Sequence, residues 1–260
     1  TVVIKYGGKA MLDANLKRKI AEDIVLMRYV GIKPVVIHGG GKAISSMMRK
    51  FKKEPRFIKG NRVTDKETME IVEMVLVGKI NKEIVSLLNQ FGGKAIGLEG
   101  KDGQLIIARK CRDQDLGFVG EIEQINSALI DLLEREGFIP VIAPIGTNSR
   151  GESLNINADT TAAEIAGALE AEKLIFLTDV EGILKDLSDD RTFISSLSIE
   201  QSQDMLEKEE IQEGMIAKVR ACQIALEKGV SKVHIINGTT FHSLLLEVFT
   251  NKGIGTQVMK

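Results

Sequence analysis

The stretch Val35-Val36-Ile37-His38-Gly39-Gly40-Gly41-Lys42 decides the fold. A β-branched run stops in three glycines, and Ile44, Met47, Met48 and Phe51 then recur at i, i+3, i+4 and i+7. That order predicts a buried strand, a tight turn and a helix. Such a junction brings backbone close to an anion, because glycine has no Cβ and the first helical N–H groups lack partners inside the helix. The stretch alone leaves the anion open. It is not a Walker loop, since no G-x-x-x-x-G-K-[ST] occurs. It is not a G-x-G-x-x-G fingerprint either, because Ile44 stands where the last glycine should be.

Upstream, Thr1 to Tyr6 reads as a buried strand that carries Lys5 into Gly7-Gly8, and Leu16, Ile20, Ile24 and Met27 mark one helix face. Strand, helix, strand at this spacing is a βαβ unit, so the two strands should be parallel neighbours. Their C-terminal ends then bring Gly7-Gly8, Gly39-Gly40-Gly41 and Lys5 to one sheet edge, where open α/β sheets bind ligands. Downstream, Glu54 to Asp65 reads as an extended excursion containing Arg62. Met69, Val72, Leu76, Ile80, Ile84, Leu87 and Phe91 then trace a long helix, capped by Thr64 or Asp65, for the sheet face or a subunit interface. Ala95 to Leu98 and Ile139 to Ala143 read as strands, with a peripheral hairpin of Leu105 to Ala108 and Phe118 to Ile122 between them.

The second half begins near Gly146. A small-residue helix follows Asn155-Ile-Asn-Ala-Asp159, and a strand, Leu174 to Thr178, enters Asp179-Val-Glu-Gly-Ile-Leu184. Further helices are read at Ser198 to Lys208, from Met215 to Leu226, and at Phe241 to Phe249. Val233 to Ile236 is a strand, and Thr256 to Met259 is read as a last edge strand. This alternation predicts an α/β fold, a mostly parallel open sheet sandwiched between helices.

Composition narrows the function. The 260 residues suffice for one large domain or two small lobes. A net charge of -1 gives no global field toward nucleic acid or an anionic membrane. No apolar run nears the ~20 residues needed to span a bilayer. Cys111 and Cys222 form neither a disulfide framework nor a metal spacing, which fits a reduced, cytoplasmic setting.

The polar residues each have a plain reading. Lys5 could reach solvent from a strand end, Lys218 could be a solvated helix lysine, and Asp159 could cap its helix. Arg62 could be surface, and His38 structural. His234 and His242 have no partners at metal-ligand spacing. Taken together they suit phosphoryl transfer, which needs positioned positive charge and N–H donors and little covalent help. A carboxylate acceptor, with a pKa of about 4.3, needs no general base at neutral pH.

The series Lys5-Tyr-Gly-Gly8, His38-Gly-Gly-Gly41, Gly60-Asn-Arg-Val-Thr-Asp65, Asn155-Ile-Asn-Ala-Asp159, Thr178-Asp-Val-Glu-Gly-Ile-Leu184 and Gly214-Met-Ile-Ala-Lys218 resembles, in order and over nearly the whole chain, the N-acetylglutamate kinases of the amino acid kinase family. The resemblance implies a three-layer αβα sandwich. Residues 1–145 would form an N-terminal lobe for acceptor binding and dimerisation, and residues 146–260 a C-terminal lobe for ATP. It implies phosphorylation of the γ-carboxylate of N-acetyl-L-glutamate by ATP with Mg²⁺ in arginine biosynthesis. The alternatives are an aminoadipate-type acceptor in lysine biosynthesis, or a non-catalytic module sensing arginine or ATP.

The residue roles follow from the same resemblance. Lys5 and Lys218 would clamp the phosphoryl group, Asp159 would orient both, and Gly8, Gly40 and Gly41 would supply N–H donors. Arg62 would pair with the substrate α-carboxylate and Asn155 would bind the acetamido group. Asp179, Val180, Glu181, Gly182, Ile183 and Leu184, with Glu210, Ile211 and Gln212, would form the nucleotide pocket. Magnesium would ride on the ATP phosphates and water, with no protein ligand. The run Phe241 to Thr250, with Gly253-Ile-Gly255-Thr256, resembles the arginine-inhibited branch and implies an effector site at His242, Glu247 and Gly253. Inhibited members also carry an N-terminal helix that links dimers into hexamers. Residues 1–260 begin at the first strand and show no such helix, so a homodimer is expected, with the hexamer and arginine inhibition left open.

Overall fold

The computed structural model describes residues 1–112, 115–184, 192–208, 211, 213–250 and 253–260. Among these, the main sheet has eight strands. In spatial order they are Ser196–Ser198, Thr256–Met259, Lys232–Asn237, Lys173–Thr178, Val2–Tyr6, Pro34–His38, Ile139–Ile142 and Ala95–Leu98. The strand pair anticipated from the glycine stretch is parallel, with Val2 opposite Pro34 and Tyr6 opposite His38. The sheet stays parallel outward to Ala95–Leu98 on one side and to Lys232–Asn237 on the other. Only the far edge reverses, where Thr256–Met259 runs antiparallel to Lys232–Asn237.

Thr256–Met259 was expected at the edge, and it lies one place in. Ser196–Ser198 pairs parallel to its outer side. Three residues carry no readable alternation, and Ser198 also serves as the N-cap of the next helix, so the strand was hidden in a helix signal.

The helices are α1 (Ala14–Tyr29), α2 (Gly41–Lys50), α3 (Lys66–Glu73), α4 (Lys82–Gln90), α5 (Ala128–Arg135), α6 (Ala158–Ala168), α7 (Ile199–Glu207), α8 (Glu213–Glu227) and α9 (Ser243–Phe249). Side chains start several of them. Asp13 accepts from the N–H groups of Asn15 and Leu16, Asp65 from that of Thr68, and Asn157 from those of Asp159 and Thr160. Ser198 and Gln201 make a capping box.

The long helix read from Met69 to Phe91 is continuous but not uniform. A π-helical segment, Met74–Asn81, joins α3 to α4. The hairpin Ile106–Lys110 with Gly120–Ile125 forms as expected. It belongs to a second, four-stranded sheet with Ile145–Thr147 and Ser153–Asn155.

The chain buries two apolar clusters, one on each face of the main sheet. Val3, Val35, Ile37 and Phe176 point to one, and Ile4, Val36, Ile175 and Leu177 to the other. Both faces are therefore covered, which is why these strands read as unbroken apolar runs.

Candidate active site

The C-terminal ends of Val2–Tyr6 and Pro34–His38 open into a cavity of 610 Å³. Lys5, Gly8, Gly40, Gly41, Arg62, Asn155 and Asp159, seven of the residues singled out by sequence, line it. Its deeper wall is apolar, with Ile20 and Ile24 of α1 facing Ile80 and Ile84.

Asp159 is the centre of the charge arrangement. It is buried, and each of its oxygens meets a different ammonium, Lys5 at 2.9 Å and Lys218 at 3.2 Å. Burial alone would push its carboxyl up. The two ammonium groups outweigh that and hold it below the ordinary carboxylate range. The helix cap is Asn157, so the Asp159 carboxylate is free for this pairing. Lys218, on the first turns of α8, is brought 59 residues back to the N-terminus of α6 by the packing of those helices.

The glycine turns deliver backbone. Gly8 sits at φ +71°, and a Cβ there would strike the Asp179 carboxylate. Asp179 accepts from the Lys9 N–H, tying the first glycine turn to the second half of the chain. Gly40 passes close over Leu76 and Ile80, where a Cβ would lie 2.7 Å from Ile80 Cδ1. Among the described residues nothing accepts from the Gly40 N–H.

Arg62 is buried. Its Nη2 donates to the Gly41 carbonyl at 2.9 Å and to Ser45 Oγ at 2.8 Å, and its guanidinium lies 4.7 Å from the Phe57 ring centroid. Burial lowers its pKa from the ordinary arginine value, and Arg49 adds to that shift. Asn155 donates to Thr64 Oγ1 at 3.1 Å from the neighbouring strand end.

A second cavity, of 570 Å³, lies beyond Asp179. Asp179, Val180, Glu181, Gly182, Ile183, Leu184 and Ile211 line it, as the sequence suggested, while Glu210 and Gln212 fall outside the described residues. Phe193, Met215, Asn237 and Ile254 complete the lining. Asn237 was missed as a site residue. It ends the strand paired in register with Thr178 and donates to Glu181 at 2.8 Å. The Asn237-Gly238 turn at a sheet edge was the available signal.

The C-terminal residues separate. Glu247 and Gly253 come together, but the histidine on Glu247 is His234. Glu247 also accepts from Ile254 N–H at 2.7 Å, and with His234 this outweighs burial and keeps its carboxyl low. His242 lies elsewhere. Its Nδ1 is 2.6 Å from buried Asp23 of α1, and it stands in the left-handed region at φ +56°.

Among the described residues no group of three or more His, Cys, Asp or Glu side chains could hold a metal ion, and none of the helices is long and apolar enough to cross a membrane.

A cavity whose buried carboxylate holds two ammonium groups suits phosphoryl transfer, and the comparisons agree. The family model described as the amino acid kinase family matches residues 1–237, and the chain belongs to that family. It is 55% identical over 269 residues to the acetylglutamate kinase of Moorella thermoacetica, covering 100% of this chain and 91% of that protein. It is 53% identical over 261 residues to the acetylglutamate kinase of Caldanaerobacter subterraneus subsp. tengcongensis, covering 100% and 87%. Among solved structures, N-acetylglutamate synthase from Neisseria gonorrhoeae complexed with coenzyme A and N-acetyl-glutamate has a TM-score of 0.87 at 27% identity. That match covers 100% of this chain and 59% of the synthase. The same synthase complexed with coenzyme A and L-arginine gives 0.85 at 26%, covering 100% and 61%.

Proposed function

We propose that this chain transfers the γ-phosphoryl group of ATP to the γ-carboxylate of N-acetyl-L-glutamate, in arginine biosynthesis in the cytoplasm. The observation that carries the reading is Asp159 holding Lys5 and Lys218 on its two oxygens at the acceptor cavity. The names of the relatives above supply the acceptor.

The acceptor lies in the first cavity, its α-carboxylate on Arg62 and its acetamido group on Asn155. ATP lies in the second, against Asp179 to Leu184 and Ile211. Residues 1–145 serve mainly the acceptor and dimerisation, and residues 146–260 mainly the nucleotide. A carboxylate oxygen of the acceptor forms a bond to the γ-phosphorus as the bond from that phosphorus to the β–γ bridging oxygen breaks. ADP leaves and an acyl phosphate remains. No proton moves at the acceptor, which is already ionised at neutral pH. Lys5, Lys218 and the N–H groups of Gly8, Gly40 and Gly41 stabilise charge on the phosphoryl oxygens in transit. Magnesium would come with the nucleotide, held mainly by its phosphates and water.

A homodimer and an arginine effector site at Glu247 and Gly253 belong to the same proposal. The carboxylate of Glu247 beside the glycine loop suits a guanidinium, and the likeness to a synthase crystallised with L-arginine supports it. His234, not His242, is the histidine of that site.

The test is acyl phosphate trapping with hydroxylamine, using ATP and either N-acetyl-L-glutamate or N-acetyl-aminoadipate, with and without arginine. We expect product with the glutamate derivative and less with arginine present. Preference for the aminoadipate derivative would overturn the acceptor assignment, and indifference to arginine would remove the effector site.

A further inference from the structure

We propose that His38 is a positioning residue for phosphoryl transfer: it holds the Gly39 carbonyl and thereby aims the Gly40 N–H into the acceptor cavity. This rests on the reading of Gly40 as an anion donor.

His38 and Asn81 are both fully buried, at 0% exposure. Asn81 Nδ2 lies 2.8 Å from the Val141 carbonyl and 3.3 Å from His38 Nε2. A carbonyl only accepts, so it fixes which end of the Asn81 amide faces the imidazole. That end is the NH₂ group, so Nε2 must be the acceptor and the ring proton must sit on Nδ1. Nδ1 lies 3.0 Å from the Gly39 oxygen and donates to it. Burial pushes the imidazole pKa down to about 4, so the ring stays neutral across the working pH range.

The Gly39 carbonyl and the Gly40 N–H belong to one planar trans peptide unit and point in opposite directions. Fixing the first aims the second. The flanking units are also tied, Gly39 N–H to the Tyr6 carbonyl and the Gly40 carbonyl to the Ile44 N–H, each at 2.9 Å. The middle peptide has no other such anchor among the described residues, and three glycines in a row give it few steric barriers to flipping.

Three variants separate aiming from packing. The asparagine amide nitrogen stands near the Nδ1 position, and that of glutamine stands near Nε2. On folded protein, His38→Asn should keep turnover within about threefold of the parent. His38→Gln and His38→Leu should both lose about 30-fold, somewhat less than deleting a donor outright, with the ATP KM unchanged. Equal turnover in Asn and Gln variants, or losses that only follow the folded fraction, would overturn the proposal. Imidazole ¹⁵N NMR of the unmutated chain, which has 3 histidines, is independent of variant folding. It should show His38 protonated at Nδ1, and a proton on Nε2 would overturn the proposal. Lys5→Met is the control. If turnover survives that change, the site reading itself fails. If Lys5→Met abolishes turnover and the His38 series is flat, only the positioning role fails.

Discussion

The two cavities have nearly the same volume, 610 and 570 Å³, but they are built from different materials. The proposed acceptor side presents backbone from glycine turns and side chains held by polar partners: Lys5 by Asp159, Arg62 by Gly41 and Ser45, His38 by Asn81. The proposed nucleotide side is lined by the run Asp179 to Leu184 with residues from several other elements, and among the described residues its bonds include Asn237 to Glu181 and Ile183 N–H to Thr256. Groups that meet the transferring charge gain from being fixed beforehand, because they need not reorganise as the charge develops. Groups that only bind can adapt. The difference in construction therefore predicts that the acceptor side controls turnover and the nucleotide side controls affinity.

The strongest way to break this contrast is Lys218→Ala. It removes one ammonium of the pair and should lower turnover on the order of a thousandfold, about 4 kcal/mol, with the folded structure kept, as read by circular dichroism. Unchanged turnover would take Lys218 out of the chemistry. Next come paired changes, one on each side. Arg62→Lys loses the planar fork and should raise the acceptor KM about 10- to 100-fold while leaving the ATP KM alone. Asn237→Ala should raise the ATP KM only about fivefold, roughly one hydrogen bond, and leave the acceptor KM alone. Crossed effects would mean that the two cavities are not separate sites.

The smallest effect concerns a carboxylate left outside the clamp. Glu99, beyond strand Ala95–Leu98, is buried with Lys101 no nearer than 3.9 Å, and burial raises its pKa to about 7, with Glu73 and Asp102 adding to the shift. Because the folded pKa is raised, the unfolded chain loses this proton first as pH climbs. Stability should thus fall between about pH 4.5 and about pH 7 and stay lowered above that. Glu99→Gln should raise the melting temperature at pH 8 by a few degrees and leave it unchanged at pH 4. Asp159 has the opposite sign. Its pKa is lowered, so its contribution is present at neutral pH and is lost only as pH falls below the ordinary carboxylate range.

Sequence reading succeeds here where chemistry is local. Lys5 beside two glycines and the triplet after His38 are strand–turn–helix signals within a few residues, and they predict the shared sheet edge. Lys218 was legible only through the family resemblance. By spacing alone it is one lysine on an exposed-looking helix, and the partner that makes it functional lies on α6. By spacing alone Asp159 could as well have been the cap, because the true cap, Asn157, is two residues away and both types serve; the family resemblance gave it the role of orienting both lysines. The histidine beside Glu247 was misplaced for a similar reason. His242 is nearer in sequence, but the packing of α9 on strand Lys232–Asn237 brings His234 to Glu247, and His242, itself in the left-handed region, meets Asp23 of α1.

The π-helical segment Met74–Asn81 has a consequence for tolerance to length change. A π turn accommodates one residue more than an α turn. The segment therefore behaves as an insertion already absorbed between α3 and α4. Deleting a single residue within it would let the helix run through as plain α with α4 kept near its present face, whereas deleting one within α3 would turn everything after it by about 100°. Asn81 would then leave His38, and Ile84 would leave the cavity wall. Loss of a residue should thus be tolerated better inside this segment than in the regular helix before it.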